Sequence, residues 1–238
     1  MTEVLGKLDR DIRRTMVARC PAFSSLSASE KAEIATALTP SACAAEAVLF
    51  QRGDPGEQLY LIVTGQVHVA LHGRSGTTRL LRVLKSGDVF GEIALLGNGE
   101  RSATAIAHTP CRFLTLGRVP FLTMLGRSRA CVEAMTTLAT ERVRNMSDLG
   151  EHALYAAKPR VASAVLKLVE QHGRRVDEDV TIDIRLTDNT LAQLAQVSRQ
   201  TANAYLRELH RSGVIQRRSR GLLVRDQSRL RALAEEDA

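Results

Sequence analysis

Between residues 41 and 127 the sequence alternates short strand-like runs with glycine-containing turns. The turns read RGDPGE, HGRSG, KSGD and GNGE. Many short strands at regular spacing are typical of a β-barrel or β-sandwich. We therefore predict a mainly β region, preceded by a capped helix over 26–39. The strand-like runs are AVLF (47–50), LYLIVTG (59–65), QVHVAL (66–71), TTRLLRVL (77–84), DVF (88–90), SATAIA (102–107) and RFLTLG (112–117).

Residues 128 to 156 follow a different pattern, because glycine and proline nearly vanish and apolar residues recur at helical spacing. Val132, Ala139, Met146 and Ala153 lie seven residues apart. A helix of about 28 residues would be about 42 Å long, which is too long to be buried against a small β domain alone. A sustained apolar seam predicts a coiled-coil-like dimer. Packing of the helix on its own domain is the alternative.

A break follows the long helix at Lys158-Pro159-Arg160. Proline suits the first turn of a new helix, and residues 159–172 predict an amphipathic helix that ends at Gly173. The break gives three predicted regions: 1–127, a β domain with N-terminal helices; 128–157, the long helix and a hinge; and 158–238, a C-terminal domain.

Positive charge is concentrated near the C-terminus. The whole chain carries a net charge of +7, and residues 198–231 alone hold nine Arg against two acids, which also gives +7. Such a segment favours a polyanionic partner such as DNA. No apolar run approaches the ~18 residues that span a bilayer, and the N-terminus lacks an apolar signal region. We therefore expect a cytoplasmic protein that does not bind a membrane.

The four cysteines are widely spaced in sequence. Metal sites and iron–sulfur clusters usually show tighter clustering of their ligands. No metal is therefore expected, and buried or idle thiols are the default interpretation. They are Cys20, Cys43, Cys111 and Cys131.

Residues 186–211 predict a helix-turn-helix. Thr187 can cap a first helix and Ser198 can cap a second, with Gln196 and Val197 in the turn between them. The second helix has an apolar face and an opposite polar face that begins at the helix start, as in helices that enter the major groove. A structural three-helix bundle with a polar face is the alternative.

The polar face carries side chains that suit base edges. Arg can bond guanine bidentately, and Gln or Asn can bond adenine. The segment GVIQRRSRGLLV at 213–224 predicts a two-stranded wing with arginines for phosphates at its tip. The predicted DNA-binding residues are Ser198, Arg199, Gln200, Asn203, Arg207, Arg217 and Arg218.

Residues 90–104, FGEIALLGNGERSAT, place an acid and an arginine in apolar surroundings. Such groups are rarely buried unless they are paired or hold something. The start of a helical turn favours an anion. Arg101 suits a phosphate and Ser102 adds a hydroxyl donor, while Glu92 suits a sugar hydroxyl. A surface hairpin with a salt bridge is the alternative. The candidate residues are Gly91, Glu92, Ile93, Ala94, Arg101 and Ser102.

Together these motifs resemble the CRP/FNR superfamily of bacterial transcription regulators, the family of the catabolite activator protein. FGEIALL with RSATA, and RGDPGEQLYLIVTGQVHV upstream, look like its cyclic-nucleotide-binding domain. SRQTANAYLREL looks like its helix-turn-helix. The resemblance spans about residues 20–225. It implies an α+β chain with an N-terminal antiparallel, jelly-roll-like β-roll, a long dimerisation helix and a C-terminal winged helix-turn-helix.

The resemblance also implies roles for residues in the β-roll. Glu92 would contact the ribose 2′-hydroxyl, and Arg101 and Ser102, with the backbone of 91–94, would hold the cyclic phosphate. Asn145 stands where the family's long helix offers a polar group to the base. Arg82 lies near where a strand residue approaches the base, and an arginine there could bond guanine. The base therefore stays open, with cAMP first and cGMP as the contender.

Departures from the family pattern occur in the recognition helix. Arg199 matches the family's guanine reader, whereas Gln200 and Ala204 stand where the family often has Glu and Arg. We therefore expect the operator to be a palindrome in which only part of the family's usual half-site sequence is kept. Gln196 occupies a turn position where the family frequently has glycine.

The implied function is a DNA-binding transcription regulator whose affinity for DNA is controlled by a cyclic nucleotide. The implied partners are a palindromic double-stranded operator, a second copy of the chain and RNA polymerase. An enzyme would need a metal cluster, a nucleophile–base pair or two apposed carboxylates. None of these is visible in the sequence, so we do not expect an enzyme. A regulator of the same fold that is constitutive, or that responds to another effector, is the alternative.

Overall fold

The computed structural model describes residues 2–72, 78–151, 157–218 and 220–235, with 2–9 and 143–151 described by their backbone alone. The chain divides into two compact units. The first unit comprises residues 1–71 and 83–145, and the second comprises residues 72–82 and 146–238. This division into two units does not test the three regions predicted from the sequence, which are 1–127, 128–157 and 158–238. Those boundaries stay a prediction.

The N-terminal half of the chain contains five helices and eight strands within the described residues. The helices are α1 (Thr2–Arg19), α2 (Ala28–Ala37), α3 (Glu92–Leu96), α4 (Arg118–Arg127) and α5 (Arg129–Glu151), with a 3₁₀ turn over Pro21–Phe23. The strands are β1 (Thr39–Cys43), β2 (Val48–Phe50), β3 (Gln58–Thr64), β4 (Val67–His72), β5 (Thr78–Leu84), β6 (Val89–Phe90), β7 (Thr104–Ala107) and β8 (Cys111–Gly117). All seven predicted strands are confirmed, while α1, β1 and α4 were not predicted.

The strands form two four-stranded sheets, with the orders β1-β8-β3-β6 and β2-β7-β4-β5. The pairings are antiparallel, which confirms the predicted sheet type. Side chains alternate along β3, because successive residues in a strand point to opposite faces. Leu59 and Leu61 enter a core shared with the helices, whereas Tyr60 and Ile62 enter a second, aromatic-rich core. Two faces of one strand thus serve two cores.

Helix α2 confirms the predicted capped helix near the N-terminus. The Ser27 side chain accepts a hydrogen bond from the Glu30 backbone, and the Glu30 side chain accepts one from the Ser27 backbone. This reciprocal arrangement satisfies two backbone donors that the first helical turn leaves open. The helix then buries Ile34 and Ala35 in the first core.

Helix α5 has 23 residues and is about 35 Å long. One face, with Cys131, Met135 and Leu138, is buried in the first core of its own unit. Val132, on a neighbouring face, is 44% exposed. Met135, three residues after Val132, therefore packs within the chain. The predicted continuation through Ala153 lies outside the described residues.

The C-terminal region contains four helices and four strands within the described residues. They are α6 (Ala157–His172), β9 (Gly173–Val176), β10 (Asp179–Ile182), α7 (Asp188–Ala195), α8 (Arg199–Arg211), β11 (Ile215–Arg217), β12 (Leu222–Val224) and α9 (Gln227–Glu235). The strands form one sheet in the order β11-β12-β10-β9. The predicted helices and the two-stranded wing, β11 and β12, are confirmed, whereas the β9–β10 hairpin and α9 were not predicted.

The predicted turn between α7 and α8 forms without a glycine. Gln196 adopts a left-handed conformation with φ 54° and ψ 43°, which costs a residue with a Cβ about 1 kcal/mol. Thr187 caps α7 by accepting from the Thr190 backbone, and Ser198 caps α8 by accepting from the Thr201 backbone, each at 3.0 Å. The two caps fix where both helices begin.

Candidate functional site

The candidate ligand site begins where β6 ends and α3 starts. Gly91 has φ 85°, a conformation that L side chains rarely adopt. A Cβ at this position would also meet the Arg101 Nη1 atom at 2.6 Å. A Cβ at Gly56 would meet the Ala94 Cβ at 2.3 Å and the Arg101 Nε at 3.0 Å. Both glycines therefore let backbone segments close around one arginine.

Arg101 lies at the centre of this site and is only 4% exposed. It donates from Nη1 to the Gly91 carbonyl and from Nη2 to the Gln58 carbonyl, each at 2.9 Å. Its guanidinium carbon lies 4.1 Å from the centre of the Phe50 ring, within cation–π range. Burial lowers the pKa of Arg101. Its Nε is buried without a hydrogen-bond partner among the described residues.

Two loops hold the Arg101 backbone in place. Its N–H donates to the Asp54 carbonyl at 2.9 Å, and its carbonyl accepts from the Gly53 N–H at 2.8 Å. The Gly56 N–H donates to the Gly99 carbonyl at 2.7 Å. The guanidinium is therefore fixed through both its main chain and its side chain, so that a bound anion would meet a group that is already ordered.

Glu92 is 2% exposed and faces a second arginine, from α5. Arg142 donates from Nε to the Glu92 carboxylate at 3.1 Å and from Nη2 to the Val89 carbonyl at 2.9 Å. The alternative of a surface hairpin with a salt bridge between Glu92 and Arg101 does not describe the structure, since both side chains are buried and each bonds another group. Arg142 also ties the start of α3 to the long helix of the same unit.

The remaining predicted ligand residues are placed with different degrees of detail. Ile93 and Ala94 continue α3, and Ser102 is exposed beside Arg101. Arg82 lies on β5 and is half-buried. Asn145 lies on α5, but its side chain is outside the described residues. The assignment of Arg82 and Asn145 to a base therefore stays a prediction.

The candidate DNA surface is formed by the start of α8. Arg199 and Gln200 are exposed, and the apolar face of the helix, with Ala202, Leu206 and Leu209, is buried as predicted. Arg217 and Arg218 are exposed at the wing. Five predicted residues line one shallow surface depression: Ser198, Arg199, Gln200, Asn203 and Arg207.

An acid at the first position of α7 connects this surface to the wing. Asp188 accepts a 2.5 Å hydrogen bond from the Asn203 side-chain amide on α8. It also forms a hydrogen-bonded ion pair with Arg217 on β11. The bond from Arg217 is the largest cause of the lowered pKa of Asp188. In this state two predicted DNA-binding side chains are held by the same carboxylate.

Comparison with known proteins places both sites in recognised domains. The cyclic nucleotide-binding domain family matches residues 41–128, and the Crp-like helix-turn-helix domain family matches residues 159–233. The cyclic AMP receptor protein of Thermus thermophilus is 32% identical over 187 residues, which cover 78% of this chain and 83% of that protein. A CRP-like cAMP-activated global transcriptional regulator of Mycobacterium tuberculosis is 26% identical and covers 90% of this chain and 96% of that one.

The chain belongs to the CRP/FNR superfamily.

Solved CRP/FNR structures agree with the fold. The catabolite activator protein of Thermus thermophilus has a TM-score of 0.52 at 29% identity, covering 92% of this chain and 100% of that one. FixK2 of Bradyrhizobium japonicum has a TM-score of 0.70 at 20% identity, covering 82% of this chain and 96% of that one. The predicted family and the predicted α+β class are confirmed. As a CRP/FNR protein, the chain is a transcription regulator with a cyclic nucleotide-binding domain and a helix-turn-helix.

Three site residues of this CRP/FNR chain were missed by sequence reasoning. Arg142 had a visible signal, because it is a charged residue at the edge of an apolar helical seam. Asp188 had a weaker signal, since it directly follows the helix cap Thr187. Gly56 had none beyond its place in a turn, because its closeness to Arg101 arises only when two distant loops pair.

Two further observations concern the described part of the chain. None of its helices has both the length and the apolar character needed to cross a membrane. No cluster of three or more His, Cys, Asp or Glu side chains is arranged there to hold a metal ion.

Proposed function

We propose that this CRP/FNR regulator binds a cyclic nucleotide at the Arg101 site, and that the ligand controls its binding to a palindromic operator. The observation that carries the proposal is the buried guanidinium with an unpartnered Nε in the domain that matches cyclic nucleotide-binding proteins. A buried cation with an unused donor suits an anionic ligand. The cyclic phosphate would be held by Arg101, with Ser102 and the backbone of 91–94.

The sugar and base contacts are proposed from the resemblance to the family. Glu92 would accept from the ribose 2′-hydroxyl, while Arg142 compensates its charge. Arg82 and Asn145 would approach the base. We place cAMP first, because the Thermus thermophilus relative is named for cyclic AMP and the Mycobacterium tuberculosis relative is cAMP-activated. cGMP is the second candidate, since Arg82 suits the guanine edge.

The proposed response links the ligand to the dimer. Arg142 joins α3 to α5, so a ligand at Glu92 would bias the position of the long helix. Two chains would pair through the exposed face of α5 around Val132, and their recognition helices would enter neighbouring major grooves of a palindrome. Coupling between two such sites is typically about 1–3 kcal/mol. RNA polymerase would be the further partner at a promoter.

The decisive experiment is isothermal titration calorimetry of the full-length chain with cAMP and with cGMP. Arg101→Gln removes the charge and should weaken binding of the favoured nucleotide by about 10- to 100-fold, as expected when a hydrogen-bonded charge is lost. Arg112→Gln, an exposed arginine on β8, is the matched control and should bind normally. Unchanged affinity in a folded Arg101→Gln variant would show that the site is misassigned.

A gel-shift titration separates the proposal from its alternative. The ligand-controlled regulator should bind operator DNA more tightly in the presence of the nucleotide. A constitutive regulator, or one with another effector, would show the same operator affinity with and without cAMP or cGMP.

A further inference from the structure

Two cysteines lie side by side on neighbouring strands of the first unit. β1 and β8 run antiparallel, and their register sets Cys43 directly opposite Cys111. Both are free thiols, and Cys43 packs against the hydrophobic cluster that contains Cys111. Their wide separation in sequence hid this proximity, which exists only because β1 pairs with β8.

The backbone geometry of the pair suits a disulfide. Pro40 has no N–H, so its pair with Leu114 must be one that exchanges no hydrogen bonds. Hydrogen-bonded and non-hydrogen-bonded pairs alternate along an antiparallel ladder. The cysteine pair, three positions further on, is therefore a hydrogen-bonded pair. Opposed Cα atoms in such a pair are about 5.5 Å apart, and disulfides have Cα separations of about 4.4–6.8 Å.

Closing the bond would draw the two strands together. Opposed Cβ atoms in a sheet are about 4.5–5.5 Å apart, and hydrogen-bonded pairs lie at the wide end of this range, roughly 1.5 Å above the mean for disulfides. β1 is a five-residue strand at the edge of its sheet, so only β8 restrains it through a ladder. A disulfide formed with some strain is the kind that thiols reduce readily. The geometry therefore favours a reversible bond over a permanent one.

The two sulfurs differ in access to solvent. Cys111 is 2% exposed, and its thiol contacts the carbonyl oxygens of Thr109 at 3.2 Å and Gln66 at 3.5 Å. Burial raises the pKa of the Cys111 thiol, and the neighbouring Cys43 raises it further. Cys43 is half-buried. An oxidant arriving from solvent therefore meets Cys43 first, and Cys111 is placed to resolve the product.

We propose that Cys43 and Cys111 form a reversible disulfide in response to hydroperoxides. The Cys43 thiolate attacks one peroxide oxygen, the O–O bond breaks, and the other oxygen leaves as an alcohol or water after taking a proton. Cys43 is then a sulfenic acid. The Cys111 sulfur displaces hydroxide from the Cys43 sulfur, and the hydroxide leaves as water with the Cys111 proton. Two thiols thus lose two electrons and two protons, and one hydroperoxide is reduced.

The test treats the reduced full-length protein with hydrogen peroxide, blocks the remaining thiols under denaturing conditions and maps peptides by mass spectrometry. The expected product is an intramolecular cross-link between the peptides of Cys43 and Cys111 that dithiothreitol and reduced glutathione remove. Cys20 and Cys131 are buried, and burial raises the pKa of Cys20 to about 11. Both should therefore stay reduced during the peroxide treatment and be recovered as alkylated cysteines.

Two variants complete the test. Cys43→Ser should abolish the cross-link, while Cys131→Ser should leave its yield unchanged, and a thermal melt of each reduced variant checks that it is folded. The proposal is wrong if Cys43 proceeds to the sulfinic acid without a cross-link. It is also wrong if the cross-link joins two chains, which would show as a yield that rises with protein concentration.

Discussion

Glu92 is a carboxylate almost removed from water, and the cation that faces it comes from a helix fifty positions along the chain. Taking both charges out of water is costly, and their attraction offsets that cost only when the geometry is good and further hydrogen bonds are made. Arg142 meets this condition, because it bonds the Glu92 carboxylate and the Val89 carbonyl together. The pair therefore holds α3 and α5 in one arrangement.

A double-mutant cycle tests this pair. Arg142→Met and Glu92→Gln, singly and together, should reveal a coupling free energy of about 1–3 kcal/mol in unfolding of the first unit, measured by differential scanning calorimetry. The exposed pair Arg129 and Glu133 on the same helix is the control, and its coupling should be below about 0.5 kcal/mol. Equal coupling for the two pairs would contradict the structural role given to Arg142.

At this scale the sequence was most informative where a residue was chemically out of place. Glu92 and Arg101 were found because an acid and an arginine stand in apolar surroundings, and both prove to be buried. Their actual partners could not be predicted. The Gly91 and Gln58 carbonyls and Arg142 approach only after strands and helices have packed, and no local pattern encodes that packing.

Asp188 connects three elements, since it lies on α7 and bonds Asn203 on α8 and Arg217 on β11. Its side chain is 14% exposed, against 50% for Arg217. The carboxylate therefore orders two groups that face the candidate DNA surface, and it also places a negative charge close to where phosphates would lie. These two effects act on specificity and on affinity in opposite directions.

Replacing this acid should separate the two effects. Asp188→Ala should raise affinity for unrelated duplex DNA about 3- to 10-fold, because one charge that repels phosphates is gone. The preference for operator over unrelated DNA should fall, because Asn203 is no longer held. Fluorescence anisotropy with both duplexes measures this, and Asp183→Ala, an exposed acid in the same unit, controls for net charge. An unaltered preference for operator would refute the ordering role.

Other elements were found or missed for physical reasons. The helix-turn-helix was predictable because caps, turn and apolar face all lie within one continuous segment. β1 was not, because TPSAC has no alternating pattern and becomes a strand only by pairing with β8. The sequence placed Gln196 at a turn position where the family frequently has glycine, and the structure has a left-handed glutamine there.

We expect two copies of the chain to bind a palindromic operator symmetrically. The predicted DNA-binding residues of α8 allow this expectation to be tested. In a scan of palindromic operators, half-sites should lie about 10–10.5 base pairs apart. Replacing the guanine that Arg199 is predicted to read should cost the unmodified protein about 1–3 kcal/mol of binding free energy and should cost Arg199→Ala almost nothing. Arg211→Ala, at the far end of α8, is the control and should keep the base preference.

The same scan tests the departures in the recognition helix. Because Gln200 and Ala204 differ from the residues common in the family, only part of the family's usual half-site should be preferred. Gel shifts that show full preference for the complete usual half-site would contradict this expectation.

Pro40 has a consequence beyond the register of β1. The outer edge of a sheet offers unpaired N–H and C=O groups on which another chain can add a strand, and this is how many proteins begin to aggregate. β1 presents a proline, which cannot donate, in a strand of only five residues whose first four are exposed. This edge is therefore a poor template for fibre growth, which helps to keep the regulator dispersed.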